Sequence, residues 1–230
     1  MTNLRLNDAT LEAMHDPYAT VGDITLYHAD CREILPSLAT KTVITDPVWP
    51  GADVPLEGRD NCAGLLRETL QNCLAAERLA LHVGCRTDPR LFETVPERFE
   101  FFRVAWLRYS VPSYQGRVLN GADVAYLYGD PPSPPEYGHL VPGEFIENGA
   151  KGKERDHPTP RKLSHVEWLV KWWSEPTDLV ADPFAGSGTT GLAAMRWDRE
   201  CVLIEIEEEH CETAARALEQ EAKQPTLNYG

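Results

Sequence analysis

The sequence predicts a doubly wound α/β fold on a mostly parallel seven-stranded sheet, and three observations carry that prediction. Short apolar runs alternate with stretches of helical spacing along most of the chain. A glycine-rich turn, Gly186-Ser-Gly188-Thr-Thr-Gly191, falls between one such run and a helical stretch. The 230 residues, 42% of them hydrophobic, suit one sizeable core, so residues 1–230 read as a single domain.

Residues 1–20 show no sustained period and read as an irregular N-terminal arm. Ile24 to Tyr27 is β-prone and ends at His28-Ala-Asp30; Cys31 to Leu38 has helical spacing, and Thr42-Val-Ile-Thr45 is a buried strand that stops at Asp46-Pro47. After a polar, glycine-bearing loop, Ala63 to Ala76 is helical. Leu79 to Val83, Phe99 to Leu107 and Val124 to Tyr128 read as strands. Asp130-Pro-Pro-Ser-Pro-Pro135 then breaks regular structure, because proline lacks the backbone donor and clashes inside a helix; residues 130–156 form a short proline-rich insert. Leu163 to Trp173 recovers a helical period, Leu179-Val-Ala181 is a short parallel-type strand, and Thr189 to Arg196 is a helix. Val202 to Ile206 is a further strand and Glu208 to Glu221 a closing amphipathic helix, with no internal repeat.

No run reaches the roughly 18 apolar residues of a membrane span, and the first residues lack the apolar core of a secretory signal, so a cytoplasmic protein without membrane association is expected. Cys31, Cys62, Cys73, Cys85, Cys201 and Cys211 include no Cys-x-x-Cys pair and read as reduced thiols, with no metal expected. The net charge of -14 argues against tight nonspecific nucleic-acid binding. It leaves room for local basic stretches, namely Arg103, Arg108 and Arg117, and Lys151, Lys153, Arg155, Arg161 and Lys162.

The glycine turn with Glu205 at the end of the next strand fits a nicotinamide-dinucleotide site when taken alone. Asp182-Pro183-Phe184 lengthens the turn, however, and places a carboxylate where that site has a tight turn against pyrophosphate. Only 25 residues follow Glu205, too few for a second mononucleotide half, and the turn lacks a P-loop lysine. A sulfonium amino acid joined to adenosine fits better. Asp182 suits its ammonium, the glycines allow close approach of the backbone, and Glu205 can accept from both ribose hydroxyls. Asp30 suits the adenine amino group and the Cys31 amide a ring nitrogen, which makes the chain order circularly permuted.

Asp46-Pro-Val-Trp49-Pro50 follows an apolar strand, where ligands bind in open α/β sheets. A base amino group is a poor nucleophile, because its lone pair is delocalised into the ring. The Asp46 carboxylate and the Pro47 carbonyl, accepting its two hydrogens, would free that lone pair, and Trp49 offers a face for an extruded base.

Tyr27-His-Ala-Asp30-Cys31, then Thr45-Asp46-Pro-Val-Trp49, His157-Pro-Thr159-Pro-Arg-Lys162, Asp182-Pro-Phe-Ala-Gly-Ser-Gly-Thr-Thr190 and Leu-Ile-Glu205-Ile follow one another along residues 24–221. In this order they resemble the β-class S-adenosylmethionine-dependent amino-methyltransferases of DNA. The resemblance implies a Rossmann-like, circularly permuted methyltransferase fold, S-adenosylmethionine as cofactor, and double-stranded DNA with a flipped target base as substrate. A homodimer is the family expectation. The catalytic set is then Asp46, Pro47 and Trp49. The cofactor set is Asp30, Cys31, Thr159, Asp182, Phe184, Ala185, Gly186, Ser187, Gly188, Thr189, Thr190 and Glu205, with His157 organising the loop of Thr159. Arg161-Lys162 replaces the family's usual Lys-Pro, and Val48 replaces the second proline of its catalytic motif. Asp46 matches the form associated with adenine N6, while serine there would indicate cytosine N4. Residues 130–156 are the candidate target-recognition segment. Cytosine N4, an RNA or free-nucleotide acceptor, and a noncatalytic cofactor-sensing DNA-binding module stay open as alternatives.

Overall fold

Strands that are apolar on both faces need cover on both sides, and this chain provides helices for each. The computed structural model describes residues 15–48, 59–84, 87–115, 117–132, 141–147 and 162–223. In chain order the strands are β1 (Ala19–Val21), β2 (Ile24–His28), β3 (Thr42–Thr45), β4 (Arg78–Gly84), β5 (Phe101–Gln115), β6 (Val118–Tyr128), β7 (Glu144–Ile146), β8 (Leu179–Asp182) and β9 (Glu200–Glu205). The helices are α1 (Cys31–Ile34), α2 (Cys62–Asn72), α3 (Leu163–Trp173), α4 (Thr189–Arg196) and α5 (Glu208–Ala222).

Among the described residues the strands make one sheet in the order β1-β2-β9-β8-β3-β4-β6-β5-β7. From β2 to β4 every neighbour is parallel, while β6 runs antiparallel to both β4 and β5. β8, which carries the glycine turn at its end, lies between β9 and β3 although it comes late in the chain. That placement is the permuted order expected from the sequence.

The expected seven strands are the inner seven, and the sheet has nine. β1 pairs antiparallel with β2 (Ala19 opposite Leu26), and β7 pairs parallel with β5 (Trp106 opposite Glu144). Both are three residues long and take up unpaired backbone groups at a sheet edge, a reason that no local sequence pattern carries. β1 begins inside the stretch read as an irregular arm, and β7 lies inside the 130–156 insert read as loop. The hairpin β5–β6 is also longer than its apolar pattern, with register shifts between Arg108 and Ser113.

Alternation along the strands sorts the core into two layers. Val43, Leu79 and Leu81 pack with Ile34, Leu35, Leu66 and Leu70 of the α1–α2 side. Ile44 and Ala80 pack with Val166, Leu169, Ala193 and Leu218 of the α3–α4–α5 side. At the amino ends of the central strands Asp178 Oδ2 accepts from Thr42 Oγ1 at 2.7 Å, Arg78 Nη1 at 3.0 Å and the Glu175 amide at 2.9 Å. This network clamps the starts of β3, β4 and β8 and leaves their carboxyl ends open for a site. Among the described residues no helix is long and apolar enough to cross a membrane. Cys31, Cys62, Cys73, Cys201 and Cys211 are buried, and burial pushes the Cys73 and Cys211 thiols up to about 12.

Candidate active site

Four adjacent parallel strands, β2, β9, β8 and β3, each end in an acid or lead into one within two residues: Asp30, Glu205, Asp182 and Asp46. Ligands of open α/β sheets bind beyond these carboxyl ends. Here the strand ends present a row of acceptors.

The glycine turn closes by the Gly188 amide donating to Ala185 O at 2.9 Å. Gly186 and Gly188 have φ of +50° and +81°, a region that a side chain disfavours. A Cβ on Gly188 would come within 2.8 Å of Ala214 Cβ, whereas one on Gly186 would point into open space. Gly188 therefore serves packing against α5, and Gly186 leaves its backbone bare beside open space.

Asp182 is 4% exposed. Its Oδ1 accepts from Thr45 Oγ1 at 2.6 Å and from the Phe184 amide at 3.1 Å, and its Oδ2 accepts from Thr190 Oγ1 at 2.5 Å. Burial pushes its carboxyl up to about 6, and the neighbouring Asp46 adds to the rise, while the three donors pull it back. Asp182, read from the sequence as a direct ligand, thus also organises the turn. Thr190 spends its hydroxyl inside the fold. Ala185 is buried, Phe184 packs half-buried against the α1–α2 layer, and Ser187 and Thr189 approach each other at 3.5 Å between hydroxyls.

Glu205 holds the neighbouring strand end. Its Oε2 accepts from the Gly186 amide at 2.6 Å, and its Oε1 accepts from the Ile206 and Glu207 amides at 3.0 Å each. Asp30 caps α1 by accepting from the Arg32 amide at 2.9 Å, and the Arg32 guanidinium, itself bridged to Glu68, also holds it. The hydrogen bonds from Arg32 keep the Asp30 carboxyl below the usual carboxylate range. The carboxylate assigned to an adenine amino group is therefore shared with a cation, a partner that reasoning from the sequence missed. The Asp30-Cys-Arg32 spacing at a helix start was the signal for it. Cys31 is buried with Sγ 3.4 Å from Thr69 Oγ1, and burial pushes its thiol up to about 11, so its backbone amide, in the first turn of α1, is the group it could offer a ligand.

Asp46 is half-buried at the end of β3, followed by buried Pro47 and by Val48, which packs against the α1–α2 layer. Thr45, overlooked in the sequence, ties this loop to Asp182. Trp49, His157 and Thr159 lie outside the described residues, as do Lys151, Lys153, Arg155 and Arg161. Of the described basic residues, Arg108 on the hairpin lies 3.7 Å from Glu144, and Lys162, just ahead of α3, lies 2.8 Å from Glu147.

A row of carboxylates with an open glycine between them recognises a ligand rich in donors: an ammonium, sugar hydroxyls, amino groups on bases.

The family model for DNA methylases of the N6/N4 type matches residues 60–216. The DNA adenine methyltransferase YhdJ of Escherichia coli strain K12 is 34% identical over 95 residues, 39% of this chain and 32% of that protein. The chain's matches span 20% to 32% of the lengths of its curated relatives. In fold, the M1.HpyAVI structure solved as a SAM complex superposes with a TM-score of 0.66 at 23% identity, over 85% of this chain and 98% of that one. The cytosine-N4-specific PvuII DNA methyltransferase superposes with a TM-score of 0.66 at 15% identity, over 93% and 90%.

Proposed function

The chain belongs to the N6/N4 DNA methylase family, and from that membership we propose that it transfers a methyl group from S-adenosylmethionine to adenine N6 in double-stranded DNA. The observation that carries the reading is the Thr45 to Asp182 hydrogen bond, which fastens the acceptor loop at β3 to the glycine turn at β8. The residues fit the cofactor. Gly186 leaves room where a Cβ would project, and acceptors stand at three consecutive strand ends. Asp182 would hold the ammonium, Glu205 the ribose hydroxyls, and Asp30 with the Cys31 amide the adenine ring. When bound, the sulfonium supplies an electrophilic methyl group.

The chain's own part in the reaction is to prepare the nucleophile. Asp46 and the Pro47 carbonyl accept the two hydrogens of the extruded amino group, which pyramidalises the nitrogen and directs its lone pair outward. Trp49 stacks on the base, and Thr159 joins the cofactor set. Asp46, rather than serine, favours adenine. Val48 in place of a second proline keeps cytosine N4 as the second reading.

Mass spectrometry of nucleosides from DNA incubated with the protein and isotope-labelled S-adenosylmethionine tests this. Labelled N6-methyladenine is expected. N4-methylcytosine alone would replace the acceptor, and no label in DNA with label in RNA or free nucleotides would replace the substrate class.

A further inference from the structure

We propose that His82, Asp123 and His165 bind one divalent transition-metal cation, zinc by donor set, on the α3 side of the sheet. None of the three belongs to the row of strand-end acids. His82 lies on β4, Asp123 on β6 and His165 on α3, and their side chains are 2%, 6% and 0% exposed. The β4–β6 register sets Ala125 opposite His82, so Asp123, two residues further along β6, projects from the same face as His82 on the diagonal. α3 closes over that face and lowers His165 onto the pair.

The ligating atoms of the three residues all lie within 4.8 Å of one another. His82 Nε2 is 3.4 Å and His165 Nδ1 3.8 Å from Asp123 Oδ2. A tetrahedral zinc with bonds near 2.1 Å separates its ligands by about 3.4 Å, so the cluster needs only a small contraction. A second observation is independent of these spacings: neither ring nitrogen of the wholly buried His165 has a hydrogen-bond partner among the described residues. Buried polar atoms are satisfied as a rule, and a cation at Nδ1 supplies what protein neighbours do not.

The surroundings suit a metal as well. The Tyr109 hydroxyl donates to Asp123 Oδ2 at 2.6 Å and orients the carboxylate. The Tyr109 and Phe145 rings stand 5.0 and 5.8 Å from the His165 ring and wall the cluster. Two imidazoles and one carboxylate select a zinc-like cation over magnesium or calcium, which prefer oxygen. Bound there, the ion staples the first turn of α3 to β4 and β6.

The test uses the full chain, stripped with a chelator and titrated with zinc or cobalt(II). One equivalent bound, a tetrahedral cobalt spectrum without a thiolate band, and a raised thermal midpoint are expected, all lost in His165→Gln. His165→Phe serves as a second variant, filling the same apolar wall should glutamine unfold the protein. A folded wild-type chain that takes up no cation, a thiolate band from the cysteines, or unchanged uptake in either folded variant would overturn the proposal.

Discussion

Thr45 Oγ1 donates to Asp182 Oδ1 at 2.6 Å, joining residues 137 positions apart at the ends of neighbouring strands. Both side chains are buried, so the bond has no water to replace it. Thr45→Val keeps the shape and removes the donor. A hydrogen bond to a charged group contributes about 1.5–3 kcal/mol, and urea unfolding should show a loss of that size. An unchanged midpoint would show that the bond does not hold the two loops together.

Asp182 also predicts a pH dependence. Its carboxyl is raised from 3.8 to about 6, first by burial. Between those values the folded chain keeps a proton that the unfolded chain has released. Its contribution therefore favours folding in acid and is lost as pH rises from about 4 to about 6, after which it is constant. The shift corresponds to roughly 3 kcal/mol. The advantage of wild type over Asp182→Asn in unfolding free energy should shrink by about that amount between pH 4 and pH 7. A difference independent of pH would show that Asp182 titrates normally.

Asp46→Ala is expected to abolish methyl transfer while leaving cofactor binding near wild type, because the carboxylate acts on the acceptor. Loss of an oriented polar group at a reacting centre costs on the order of a hundredfold or more. The same change removes a charge that raises the Asp182 carboxyl, so the Asp182 titration should move down. Cofactor calorimetry beside the nucleoside assay separates the two effects. Full activity in the variant would refute the role.

The parts of the fold legible in the sequence are those whose local pattern and final environment agree. Thr42–Thr45 is buried along its whole length, and Leu163–Trp173 and Thr189–Arg196 carry helical spacing to their ends. β5 runs past Leu107 to Gln115 because β6 pairs with it, although exposed Val111 and Tyr114 give no alternating core pattern. In the site, the strand-end positions of Asp182, the glycines and Glu205 were readable because a turn with positive φ demands glycine and an acid that closes an apolar run falls at the end of its strand. Their partners were not readable: Thr45 reaches Asp182, and His82, Asp123 and His165 meet, only through strand order and helix packing.

The glycines of the turn separate packing from ligand approach, and single alanine substitutions should divide them. At Gly188 the new methyl meets Ala214 Cβ at 2.8 Å and Cα at 3.2 Å with φ at +81°, so overlap adds to backbone strain. At Gly191 it meets Leu203 Cδ1 at 2.7 Å, with Leu218 and Ile24 also close, and a helix-propensity gain of about 1 kcal/mol offsets part of the crowding. At Gly186 nothing lies within 4 Å, and the cost is the left-handed backbone alone, about 1–2 kcal/mol. Gly188→Ala should therefore lower the unfolding midpoint most. Gly186→Ala should stay folded yet lose cofactor affinity in calorimetry, because its methyl projects where the ligand needs bare backbone. If Gly186→Ala binds cofactor as wild type does, the open space beside that residue is not the cofactor's place.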